Sequence, residues 1–476
     1  MKPIRKAFII YPPTGLYMRD DRCQAPVNGM TSQPSRAPLD LAYMASVLEE
    51  AGIVCTIRDY PAESLGWSDF KSDLSKLDSD VLVISVTTPT LEKDLLACTI
   101  AKQMKPDILT VAKGSHCMYK DEEVMKRFKD LDVAVRGESE IAVKELILAN
   151  DKSTVGGITY RSNGSVIRNP DRPFLRDLNI MPFPARHLLN NGLYTTPDTK
   201  EAITIIDTAR GCPHKCVYCL APLVNGREVR VRSPQRIVDE IEECVKKYKI
   251  RNFFLRADTF TWDKDWVIEI CILIIKRRLN IRWATNSRVD TICEERLAWM
   301  KKSGCWIIGF GVESGNQQIL DKMKKQSTLE SARKAMKLCN KYNIRKYLLF
   351  IIGLPWDNLD SVRDTIRFAK ELDGDFVDFN VAYPLPGTEL YAVAKEHGLF
   401  DEQSLSKGDY ALPIMRTLHL TIEELAELRR ESVSSFYFRP KFIAKALIKN
   451  GISLKVIFNY LKAGISLFRN VISQKF

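Results

Sequence analysis

ARGCPHKCVYC, residues 209–219, sets Cys212, Cys216 and Cys219 in a C-x3-C-x2-C step. A closed structural zinc site takes four ligands, often from two C-x2-C knuckles, and no fourth cysteine follows nearby. His214 is a nitrogen ligand in principle, but it lies between the first two cysteines on a tight loop, where folding back onto the same ion is strained. A cubane iron–sulfur cluster is normally held by four cysteines. Three leave one iron open to a small molecule, which is useless for a structural site and useful for a reactive one. The remaining cysteines are scattered and read as packing residues.

The stretch follows a strand-like run at 202–208. Further runs at 252–255, 281–284, 306–310, 347–352 and 376–380 alternate with amphipathic helical patterns at 234–247, 265–278, 294–303, 329–342 and 359–371. This alternation predicts a partial (β/α)6 barrel over residues 201–400, with its chemistry on the loops after the strands. The three cysteines occupy the first of those loops. Residues 1–150 also alternate, with strand runs at 7–11, 54–57, 81–86, 108–111 and 133–135. They predict an α/β, doubly wound (Rossmann-like) parallel sheet with helices on both faces. Ligands of such sheets sit at the carboxyl ends of the strands. Those ends read Pro12-Pro13-Thr14-Gly15, Thr87-Thr88-Pro89-Thr90, Gly114-Ser115-His116 and Arg136-Gly137-Glu138-Ser139-Glu140. None is a dinucleotide loop or a P-loop, which argues against NAD and ATP. Residues 151–200 read as a connector, with a short hairpin at Asn163-Gly164 and a proline-rich continuation. Residues 401–476 read as helical, opening at Thr421 with Glu424 three residues on, as in a capping box.

A length of 476 residues predicts two or three domains, and 45% hydrophobic with 27% charged residues excludes disordered and fibrous classes. The start is no secretory signal and no run is long enough to span a membrane, so a cytoplasmic location is expected. Of the net charge of +12, the acid-free stretch 439–476 supplies +8. There Leu454, Phe458, Leu461, Ile465, Phe468 and Ile472 form an apolar helical stripe edged by Lys455, Lys462 and Arg469. Phe436, Tyr437 and Phe438 add aromatic anchors. Such a tail is expected to lie peripherally on the anionic inner face of the cell membrane; the alternative is a helical hairpin packed on the barrel. Nucleic acid is disfavoured as a partner because the stripe is too apolar.

C-x3-C-x2-C with the aromatic Tyr218 before the last cysteine, after a strand that opens a barrel, resembles the radical SAM superfamily. The resemblance implies a 4Fe-4S cluster on Cys212, Cys216 and Cys219. Its open iron would be chelated by S-adenosyl-L-methionine (SAM), which an electron from the cluster cleaves to a 5'-deoxyadenosyl radical. It further implies cofactor contacts at Tyr218, Asp258 in RADTFTWD, Arg288 in WATNSRVD, Glu313 in GFGVESG near the SAM ribose, and Gly353 with Pro355 in LLFIIGLP behind the adenine. An external flavodoxin- or ferredoxin-type electron donor is implied too.

YPPTG, ISVTTPT, AKGSHC and VRGESE follow in order the loops of the cobalamin-binding radical SAM class. This implies cobalamin against Pro12, Thr87, Gly114, Gly137 and Glu138, where small residues let a large macrocycle approach the backbone. AKG departs from the usual paired glycines at Lys113. The D-x-H-x-x-G lower-ligand motif is absent, and His116 is the only histidine of the first 150 residues. The resemblance implies methylation of an unactivated carbon in a hydrophobic, lipid- or isoprenoid-like substrate. The alternative is radical cyclisation or oxidation of a lipid or tetrapyrrole without net methyl transfer. A tRNA methylthiotransferase fits less well, because Cys23, Cys55, Cys98 and Cys117 do not cluster for a second cluster and the C-terminus lacks a β pattern.

Overall fold

The computed structural model describes residues 3–19, 24, 36–406 and 410–449. The first sheet holds β1 (Lys6–Tyr11), β2 (Val54–Asp59), β3 (Val81–Ser85), β4 (Leu109–Lys113), β5 (Val133–Val135), β6 (Ile158–Ser162) and β7 (Ser165–Arg168), in the order β2-β1-β3-β4-β5-β6-β7. The pairs among β1 to β5 are parallel. Alternation explains why the central strands β1 and β3 are apolar on both faces. Ala7, Ile9 and Tyr11 pack on one face with Leu41, Ala45 and Leu48 of the helix Leu39–Glu49. Phe8 and Ile10 pack on the other with Phe70 and Leu74 of the helix Trp67–Lys76. Because β2 and β3 flank β1 on opposite sides, a crevice opens at the carboxyl ends of β1 and β3, where open α/β sheets bind ligands.

The expected hairpin forms, with Asn163 at φ 48° and Gly164 at φ 79° giving a two-residue turn with both central residues left-handed. Its first strand, β6, pairs antiparallel with β5, so the hairpin extends the first sheet to Arg168.

The second sheet starts with β8 (Ile203–Asp207). A small antiparallel pair follows, β9 (Ala209–Arg210) with β10 (Arg230–Val231). Then come β11 (Asn252–Arg256), β12 (Arg282–Ser287), β13 (Cys305–Glu313), β14 (Arg345–Ile352) and β15 (Phe376–Val381). The order β15-β14-β13-β12-β11-β8 is parallel throughout and leaves β15 and β8 as unjoined edges, a partial barrel. Phe253, Leu255, Trp283, Ile308, Phe310, Leu348 and Phe350 form its core with the surrounding helices. Several of these helices begin at capping side chains: Ser233 Oγ accepts from Arg236 N–H (3.2 Å) and Asp263 Oδ1 from Trp266 N–H (2.7 Å).

The domains are fastened by an apolar cluster of Leu39, Tyr43 and Val47 with Met181 and Ile205. Beneath it, buried Glu240 accepts from Arg186 and Arg232, both at 2.6 Å.

The helix Ile422–Tyr437 opens on the expected capping box, Thr421 N–H to Glu424 Oε2 at 2.8 Å and Glu424 N–H to Thr421 Oγ1 at 3.2 Å. It buries Leu425, Leu428, Val433 and Phe436 in the barrel core. This corrects the expectation of an aromatic anchor. Phe436 is fully buried, and the Tyr437 hydroxyl donates to Val377 O (2.7 Å) and accepts from Val377 N–H (2.9 Å). The open barrel offered these rings an apolar wall, and only Phe438 stays exposed. The helix Pro440–Lys449 follows, and the stripe from Leu454 to Ile472 lies outside the described residues. Among the described residues no helix is long and apolar enough to cross a membrane.

Candidate active site

The cysteine loop leaves β9 through Gly211, at φ 100°, where a Cβ would stand 1.9 Å from Glu228 O, so only glycine fits. The loop is then tied down along its length. Gly211 N–H donates to Asp258 Oδ2 (2.7 Å), which also accepts from Asn225 Nδ2 (3.2 Å). Cys212 N–H donates to Gly226 O (3.0 Å) and Val217 N–H to Met323 O (3.1 Å), and Val217 O accepts from Leu390 N–H (2.8 Å). Ala221 N–H points at Cys219 Sγ, 3.4 Å away. Asp258, expected near the SAM methionyl group, is thus placed under the loop as its anchor.

Cys212, Cys216 and Cys219 are partly exposed, whereas Cys55, Cys117, Cys244, Cys271 and Cys339 are buried. Burial pushes those five thiols up to about 12, far from thiolate chemistry at neutral pH. Among the described residues no three His, Cys, Asp or Glu side chains converge on a single ion. A cubane asks for a different arrangement, since each thiolate meets its own iron. His214 turns its Nδ1 to Gln326 Oε1 (3.4 Å) and its ring edge-on to Trp262, as a loop residue.

A charged cluster adjoins the loop. β13 ends in a bulge between Gly311 and Glu313, and Glu313 takes φ 70°, a left-handed conformation rare for a non-glycine residue and most often retained at functional sites. The Glu313 carboxylate is buried and pairs with buried Lys325 Nζ at 2.7 Å; Lys325 also donates to Tyr218 Oη at 3.3 Å. Burial, then Glu313 and Cys216, holds the Tyr218 phenol well above its usual range, so it stays protonated. Arg288, at the end of β12, forks onto Asp290 (2.9 and 2.7 Å) and donates to Lys325 O (2.7 Å). Tyr218, Arg288 and Glu313 are therefore brought together. Gly353, at φ 83°, faces Leu425 of the last long helix, 3.2 Å from where its Cβ would be.

The crevice at the ends of β1 and β3 opens into a cleft of about 1030 Å³, part of it open to solvent. Thr87, Gly114, Gly137 and Glu138 line it from the first domain, and Arg210, Asn225 and Arg256 from the barrel. Gly114, at φ 138°, passes so close to β3 that a Cβ would stand 2.1 Å from Val86 O. Pro12 is buried and does not line the cleft. Deeper in, Asp40 accepts from Tyr11, Lys113 and Ser85. His116 is buried, hydrogen-bonded through Nδ1 to Thr88 Oγ1 (3.2 Å), and not among the lining; burial lowers it to about 4. Glu138 is committed to ion pairs with Arg210 (3.2 Å) and Arg230 (3.0 Å) across the domain boundary. Arg210 also reaches Glu140 (2.8 Å) and Asp207 (3.0 Å). Sequence reasoning missed Lys325, Arg210 and Asp40. Lys325 sits in a lysine-rich run that reads as a solvated face, and Arg210 was inside the quoted stretch with nothing local to mark its partners.

The residues fit the expected groups. Three partly exposed soft thiols on a tied loop suit an iron–sulfur cluster with an open position. A wide cleft with glycine at its closest backbone approach suits a flat macrocycle. Residues 206–369 match the Radical SAM superfamily and residues 28–147 match the B12 binding domain. An uncharacterized methyltransferase of Pyrococcus horikoshii is 32% identical, over 94% of this chain and 95% of its own. The anaerobic magnesium-protoporphyrin IX monomethyl ester cyclase of Rubrivivax gelatinosus is 28% identical, over 90% of this chain and 78% of its own. Among solved structures, the radical S-adenosylmethionine methyltransferase TsrM of Kitasatospora setae, with cobalamin and a 4Fe-4S cluster bound, superposes with a TM-score of 0.67 at 16% identity, over 83% of this chain and 75% of that one. That likeness is one of fold. Similarity to the Pyrococcus protein over almost the whole length, with both domain matches, makes this chain a member of the cobalamin-binding radical SAM methyltransferase family, whose cofactors are a 4Fe-4S cluster, S-adenosyl-L-methionine and cobalamin.

Proposed function

We propose that the chain transfers a methyl group to an unactivated carbon of a hydrophobic, lipid- or isoprenoid-like substrate. The observation that carries this is the shared cleft: Thr87 and Gly114 wall it on one side, and Arg210 and Asn225, which flank the cysteine loop, wall it on the other. When bound, the cluster with SAM supplies hydrogen abstraction and cobalamin supplies the methyl group. The protein's part is placement. Asp258 and Gly211 hold the loop of Cys212, Cys216 and Cys219 in shape, and the bulge at Glu313 turns a carboxylate inward as an acceptor for SAM hydroxyls. The Tyr218 phenol, kept neutral, closes the loop against Lys325. The cyclase relative supports a second reading, radical cyclisation or oxidation without net methyl transfer. A tRNA methylthiotransferase is disfavoured, because Cys55, Cys98 and Cys117 are buried in separate elements. An external electron donor is a required partner, and the basic tail is proposed to rest on the inner membrane face.

The test is anaerobic reconstitution of the full chain. About four irons per chain and release of 5'-deoxyadenosine are expected, both lost in Cys216→Ala. SAM cleavage surviving in that variant refutes the cluster assignment. S-adenosylhomocysteine formed alongside 5'-deoxyadenosine supports methylation; 5'-deoxyadenosine alone supports cyclisation or oxidation. Comparing the lipids and pigments of a deletion strain with those of its parent identifies the substrate.

A further inference from the structure

We infer that Lys325 is a positioning residue of the cluster and SAM site, fixing the Glu313 carboxylate and setting a buried positive charge against Tyr218 of the cysteine loop. The inference rests on the reading of the cysteine loop as the cluster site and adds a role for a residue outside that loop.

Three elements converge on this one residue. Its ammonium lies 2.7 Å from Glu313 Oε1 and 3.3 Å from Tyr218 Oη, so it joins the end of β13 to the cysteine loop. Its carbonyl accepts from Arg288 Nη2 at 2.7 Å, which ties its backbone to the end of β12. The pair lies against the backbone of Gly311, where a Cβ would stand 2.3 Å from Glu313 Oε1 and 2.9 Å from Lys325 Nζ. Any other residue at Gly311 would push the pair off the strand. Burial pulls the ammonium down, but Glu313 and Cys216 more than offset this, so Lys325 remains charged. Nearby Lys322 and Lys324 are exposed, and Lys324 pairs with exposed Glu389. Lys325 alone of this run is drawn inside.

Stability is a poor reason for such a pair, because a buried ion pair gains little over apolar packing. It does over-determine Glu313, whose left-handed backbone persists only if its surroundings hold it. A fixed cation held against the cysteine loop also favours the electron-rich state of whatever the thiolates hold.

The test uses the reconstituted full chain with Lys325→Met, Lys325→Gln and Lys325→Arg. Iron content should match the parent in all three. Lys325→Met should weaken SAM binding, read by equilibrium dialysis, by about tenfold, the factor for losing a charge-assisted hydrogen bond. Its cluster midpoint potential, read by electron paramagnetic resonance during a redox titration, should move to more negative values, and Lys325→Arg should restore both readings. Lys325→Gln keeps a donor for Glu313 without charge. It should shift the potential as methionine does while retaining more SAM affinity, and it carries the test where methionine does not fold. Parental SAM affinity and potential in the Met and Gln variants overturn the inference. A parent chain that holds no cluster overturns instead the reading on which it rests.

Discussion

Arg210→Met should loosen the joint between the two domains in a way that depends on pH. The Arg210 side chain is buried and donates to Glu138, Glu140 and Asp207. Without it, Glu138 keeps Arg230 and Asp207 keeps Arg256 (3.2 Å), but Glu140 keeps only the more distant charge of Lys113. Removing one partner of a buried pair costs about 3–5 kcal/mol, because an uncompensated charge stays behind. The pH dependence follows from Glu140. Burial pushes its carboxyl up, but Arg210, with a backbone hydrogen bond and the charge of Lys113, outweighs burial and holds it below its usual 4.5. In the parent that depressed value stabilises the fold fully above 4.5, and the contribution fades as pH falls through the folded value. In the variant burial is opposed only by a backbone hydrogen bond and Lys113, so the folded value rises and the stability that Glu140 contributes near neutral pH falls. The gap between parent and variant should therefore be widest near neutral pH and narrow on acidification. Hydrogen exchange at 136–141 and 207–212, with thermal unfolding across pH, reads it. Arg210→Lys should recover only part of the loss, since one ammonium cannot fork to three carboxylates. A gap that stays constant with pH, or one that falls below about 1 kcal/mol, refutes the reasoning.

Gly211→Ala should abolish iron loading, because its Cβ meets Glu228 O at 1.9 Å in a backbone conformation alanine disfavours; normal iron content would show that the loop tolerates rearrangement. Gly114→Ala should lose copurified cobalamin, seen in the visible spectrum, while keeping its iron, since the clash with Val86 O at 2.1 Å lies in the first domain. Deleting residues 439–476 should reduce flotation with anionic liposomes, and equal partitioning of the two chains removes the membrane contact.

What was legible in the sequence was local. The cysteine spacing carries its own chemistry, and the central strands announce themselves because both of their faces are buried, as in Ala7 to Tyr11. The Asn163-Gly164 turn was legible for the same reason, but not that β6 would pair with β5 and so enlarge the first sheet. The aromatic run 436–438 read as an anchor because composition does not say that an open barrel edge waits for it. Lys325 was invisible because its partners lie on β12, β13 and the cysteine loop, and five lysines between 322 and 337 looked like ordinary surface, with only this one buried of the three at 322–325. Glu138 and Asp258 were expected near cofactors, and their hydrogen bonds and ion pairs give both a structural duty.

That duty bears on how two cofactors can work together. Reaction between groups held on separate domains needs a separation fixed to a fraction of an ångström, and a proline-rich connector alone does not supply it. Here the loop lining the cleft and the loop carrying Cys212 share one guanidinium, since Glu138 and Glu140 grip Arg210, two residues before that cysteine. The planar fork of an arginine can reach acceptors on both domains at once while staying in one rotamer. The buried carboxylates make slippage costly, because any displacement leaves one of them unpaired. The side chain at 210 thus helps to set the register between cleft and cluster loop, and a domain motion that parted them would have to break this joint.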